Sequence, residues 1–208
     1  MIDKWVGCSF HDDDRKPEPV DRTWGYYVFL TSYEDVTIGK VEQAMDNWVR
    51  VVERLLAAEE GPDEWKEELR IRFKLELIKD EKELAGASDD RVRENFRALM
   101  HHLDLLSEEC SWLPQARYSV CLVIDAAAVD MLARLQFLED SHKEYNTFED
   151  LTVKAIDANW DREDERGTYR GVGQLSINCL QEMYLRITRD ACNKAMEDLH
   201  PLNGYPGE

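Results

Sequence analysis

The sequence predicts an α+β fold: a two-layer sandwich with a mixed sheet of four or five strands and helices on one face, ferredoxin-like or a close relative. Three observations carry this expectation. Segments with strand character and segments with helical periodicity follow one another in the order βαβαβαββα. Residues 69–77 alternate apolar and charged, as a strand with one wet face does, whereas the strands of a sheet covered on both faces are apolar throughout. The 208 residues, 43% of them hydrophobic, suit one core and one domain.

Residues 1–22, with His11-Asp12-Asp13-Asp14 and two prolines, read as a flexible polar N-terminal arm, and residues 23–208 as a single α+β domain. The aromatic and β-branched run at 24–31 is the first strand. A helix follows, with Thr37 as its N-cap and Val41, Met45, Trp48, Val52 and Leu55 on one stripe, and Gly61-Pro62 stops it. The strand at 69–77 places Leu69, Ile71, Phe73, Leu75 and Leu77 on one face and Arg70, Arg72, Lys74 and Glu76 on the other. Ser88 starts a second helix, which turns Val92, Phe96, Leu99, Leu103 and Leu106 inward. A third strand at 118–124 ends at Asp125, the cap of a helix at 126–138. Residues 153–160 and 169–175 form a hairpin around an acidic turn, and Ser176 caps a final helix.

With 26 basic against 44 acidic residues, the net charge of −18 repels phosphate backbones and anionic lipid, so neither nucleic acid nor membrane is an expected partner. Five cysteines, odd in number and without a Cys-x-x-Cys pair, signal neither a disulfide framework nor a zinc site. A reducing compartment, the cytoplasm, is expected. The sequence shows no secretory or Arg-rich leader and no apolar run of membrane-spanning length.

The candidate chemistry is sparse. Arg70, Arg72 and Lys74 on one strand face, joined by Arg117 and Lys154 if neighbouring strands register suitably, would make a binding site for a carboxylate or phosphate. The plainer reading is a solvated face paired with nearby glutamates. Adjacent His101 and His102 diverge by about 100° around a helix, the wrong spacing for a shared metal. The acidic turn at 161–167 places its glycine wrongly for a calcium loop. Gly171-Val172-Gly173 lacks the context of a dinucleotide fingerprint. Cys121 lies inside an apolar strand, as a buried small hydrophobe does, and Trp48 belongs to the core stripe. Trp160, beside a polar turn, is the tryptophan placed to touch a ligand. No metal and no cofactor is expected.

The segment Gly25-Tyr26-Tyr27-Val28-Phe29-Leu30-Thr31-Ser32-Tyr33 resembles the opening strand of a family of uncharacterised proteins from filamentous fungi. Leu84-Ala85-Gly86-Ala87-Ser88 with Val92-Arg93 and Phe96, Arg117-Tyr118 with Cys121-Leu122-Val123-Ile124-Asp125, Gly173-Gln174-Leu175-Ser176 and Leu199-His200-Pro201 are similar to later motifs of that family. The resemblance implies no established activity. Where the family pattern carries an arginine, this chain has Leu30. Some relatives lie among natural-product pathway genes, so the resemblance also implies secondary metabolism.

Two functions follow as expectations. The first is a ligand- or protein-binding module without cofactor chemistry, with a small molecule or protein as partner and a homodimer as one form. It calls for a shallow, open surface. The second is a cofactor-independent cyclase or isomerase, which calls for a pocket of at least about 300 Å³ with convergent polar groups.

Overall fold

The computed structural model describes residues 23–103, 115–137, 148, 151–160 and 170–189. The expected arm at 1–22, Leu106, the acidic turn at 161–167 and the Leu199-His200-Pro201 motif lie outside them. Among the described residues the chain forms β1 (Trp24–Leu30), α1 (Asp35–Ala58), α2 (Asp63–Arg72), β2 (Phe73–Ile78), α3 (Glu81–Leu84), α4 (Asp89–His102), α5 (Gln115–Ser119), β3 (Val120–Ile124), α6 (Ala126–Ala133), β4 (Thr152–Asp157), β5 (Val172–Ser176) and α7 (Leu180–Arg189).

The five strands make one open mixed sheet in the order β2-β1-β3-β4-β5. β1 runs parallel to both neighbours, Tyr26 opposite Leu75 and Val28 opposite Leu122. β4 is antiparallel to β3 and to β5, with Ile156 opposite both Cys121 and Val172. The α+β class, the mixed sheet and the β4–β5 pairing agree with the sequence reading. A split βαβ unit of the ferredoxin type inserts a strand between two parallel partners. Here β1 pairs directly with both of its parallel neighbours.

Helices lie on both faces, which corrects the expectation that one face stays open. β1 is buried along its whole length. Its even-numbered residues Trp24, Tyr26, Val28 and Leu30 share a core with Trp48 of α1, Leu69 of α2, Leu132 of α6 and Tyr184 of α7. Its odd residues Tyr27 and Phe29 meet Phe96 and Met100 of α4 and Leu84 of α3. The Phe96 ring stands 6.0 Å from Tyr27 and, edge-on, 5.9 Å from Phe29.

Several polar groups drawn into the larger core are matched, although the buried Trp48 indole N–H has no hydrogen-bond partner. The Trp24 indole N–H donates to the Leu69 carbonyl at 2.7 Å, and the Tyr26 hydroxyl to Leu180 at 3.2 Å. Asn47 donates to the carbonyls of Leu132 and Ala133, satisfying the end of α6 from α1.

Helix starts follow local chemistry. Ser88 Oγ accepts from the Arg91 amide and Asp125 Oδ1 from the Ala128 amide, as expected of N-caps. Thr37 instead lies within the first turn of α1, whose N-cap is Glu34. The largest local correction is at 69–77. α2 continues through Arg72 because Trp65 and Leu69, one turn apart, are both buried, while Ile71 is 65% exposed. The strand begins only at Phe73. Among the described residues no helix is long and apolar enough to cross a membrane.

Candidate functional site

The six residues singled out from the sequence do not form one patch. Arg70 and Arg72 sit on α2, not on a strand. Arg70 pairs with Glu67 at 2.7 Å and Glu53 at 3.2 Å, and Arg72 pairs with Glu68 one turn back. The Arg70 bonds hold the Glu67 carboxyl below its ordinary range. Lys74 is exposed on β2. Lys154, on β4, is tied to Asp89 at the start of α4 at 2.7 Å. The expected basic face is therefore dispersed, because α2 carries its arginines away from the sheet, and Asp89 and Glu76 pair with Lys154 and Arg117.

Arg117 is 1% exposed, a position a cation tolerates only with compensation. Its guanidinium pairs with Glu76 at 2.8 Å, donates to the Lys74 carbonyl at 3.4 Å and lies 4.7 Å from the centre of the Tyr27 ring. Burial raises the Tyr27 phenol above its ordinary value, against the pull of Arg117. This group staples the start of β3 to β2 across β1. Cys121 is fully buried between β1 and β4, and burial pushes its thiol well up, so the nucleophilic thiolate is suppressed.

No family model, curated protein or solved structure matches the chain. The site must be read from its own geometry.

Trp160 leads to the region with binding geometry. Arg93, 3% exposed on α4, donates to the carbonyls of Asp157 at 2.9 Å and Gly171 at 3.1 Å, pairs with Asp90 at 2.6 Å, and lies 4.7 Å from the Trp160 ring centre. One turn later Arg97 donates to the carbonyls of Ala158 and, at 2.8 Å, Trp160. Gly171 lets the returning chain pass: its φ is +69°, and a Cβ there would fall 2.4 Å from the Trp160 ring. Two arginines of one helix thus clamp the chain leaving β4 against α4.

Beyond this clamp opens a groove of about 530 Å³, lined by Arg97, Ala98, Met100 and His101 of α4, Tyr118 of α5, and Ala158 and Asn159 after β4. Buried Met100, Tyr118 and Ala158 make an apolar floor. Exposed Arg97, His101 and Asn159 make a polar rim.

None of these lining residues was marked from the sequence as a binding group. A signal is present: Arg93, Arg97 and His101 repeat every fourth position, so α4 carries a stripe of nitrogen donors beside its apolar one. The adjacency of His101 and His102 masks this longer period. Among the described residues no group of three or more His, Cys, Asp or Glu side chains is placed to hold a metal ion.

Proposed function

We propose that the chain is a cytoplasmic binding module without cofactor chemistry of its own, and that its ligand occupies the groove between α4 and the chain leaving β4. The open groove carries this reading: an apolar floor with a polar rim buries a ligand's body and orients its polar end. The floor belongs to the second-face core, so it is preformed.

Ala98 lines the groove from an exposed position on α4, so Ala98→Trp fills it without entering the core. A thermal-shift screen of small molecules and peptides should find compounds that raise the wild-type melting temperature by about 5 to 10 °C near a hundredfold excess over Kd. Ala98→Trp should melt like wild type unliganded and lose that response. Shifts that survive Ala98→Trp, or a screen with none, would refute the proposal.

The second reading, a cofactor-independent cyclase or isomerase of natural-product metabolism, draws on the groove's size, which exceeds the roughly 300 Å³ a substrate needs. A stabilising compound that emerges chemically changed after incubation would favour it. One recovered intact would favour the binding module.

A further inference from the structure

We infer that the ligand of this groove is a small amphipathic carboxylic acid, its apolar body on Met100, Tyr118 and Ala158 and its carboxylate on Arg97 and His101. The inference rests on the binding reading above and names the ligand class. Its basis is charge complementarity. Arg91 is neutralised by Glu83 and Glu94, Arg93 by Asp90, and Lys154 by Asp89. Arg97, on the same helix and at the groove rim, has no carboxylate partner among the described residues.

Its Nε and one terminal nitrogen are spent on two backbone carbonyls, which fix the guanidinium without cancelling its charge. An arginine already held in place loses little side-chain freedom when it captures an anion. His101 follows one turn later on the same wall and adds an imidazole beside it.

A molecule of net charge −18 repels anions at long range, so an anionic ligand needs such a local cation. One fixed guanidinium and one imidazole match a single negative charge. A phosphate, with nearly two, calls for more donors than this rim presents. The volume suits a drug-sized molecule better than a folded partner's surface.

Isothermal titration with phenylbutyrate and its neutral isostere phenylbutyramide tests this, using the full chain. The acid should bind at least about tenfold more tightly than the amide, because a charge-assisted contact is roughly twice as strong as a neutral one. Arg97→Gln should bring acid and amide to equal affinity. His101→Gln, outside the arginine clamp, should narrow the gap by about threefold with the unliganded melting temperature unchanged; this keeps the test decisive even if Arg97→Gln loosens the fold.

Equal binding of acid and amide to wild type would overturn the carboxylate assignment and leave the groove reading standing. So would failure of both probes when a peptide or other compound stabilises wild type but not Ala98→Trp. If nothing stabilises the protein in an Ala98-dependent way, both readings fall together.

Discussion

Gly25 is the second residue of β1, at φ +120°, and a Cβ there would stand 2.1 Å from the carbonyl oxygen of Lys74 on the neighbouring strand. Both the backbone angle and the contact exclude a side chain, and the obstacle is backbone, which cannot swing aside. Gly25→Ala should therefore destabilise the protein by about 2 kcal/mol or more, read from chemical denaturation. Loss below about 0.5 kcal/mol would mean that β2 can shift away from β1. Arg117 shows the limit of reading at this scale. Its charge suggested a surface ligand site, but it is buried and committed to Glu76, because α5 delivers it beneath the sheet edge. Trp160 does not line the groove, and its ring is covered by Arg93.

The element least legible in advance was α2, and the cause is a coincidence of periods. Trp65 and Leu69 are helix neighbours, while Leu69, Ile71 and Phe73 also alternate like a strand, so the pattern continued backwards from a true strand into the end of a helix. The stripe of α4 agrees with the sequence only in part: Val92 and Phe96 face inward, but Leu103 is 44% exposed and Met100 is buried instead; nor does a stripe say which face of a sheet it covers. That depends on strand order: crossing from β2 back over β1 to β3 carries the connection to the face opposite α1. Phe96 tests whether this second face is a true core. Phe96→Ala should cost about 3 to 5 kcal/mol in urea or guanidinium unfolding. A cost near 1 kcal/mol would show α4 to be only loosely attached.

Over the whole molecule, stability should fall at both ends of the pH scale, for opposite reasons. Hydrogen bonding from Lys40, with Arg134 nearby, holds the Asp130 carboxyl below its ordinary value of 3.8, so its contribution is present above that pH and is lost as pH falls through the lower folded value. Tyr27 shifts the other way. Burial raises its phenol above 10.0, so its contribution is complete below pH 10.0 and disappears as pH climbs through the raised folded value. Melting temperatures across pH should show a shallower alkaline decline for Tyr27→Phe and a slightly shallower acid decline for Asp130→Asn; an unchanged alkaline limb in Tyr27→Phe would assign that decline to other groups. The sheet order also bears on how the chain is made. β1 is synthesised before every strand it pairs with, and it pairs with β2, which starts at Phe73, and with β3 around Leu122. Until residue 122 has left the ribosome, the uncharged run Trp-Gly-Tyr-Tyr-Val-Phe-Leu has no complete sheet to enter, and such runs seed intermolecular β pairing. Slower translation at lower temperature, or a chaperone that shelters the nascent chain, should therefore raise the soluble yield more than any change made after synthesis.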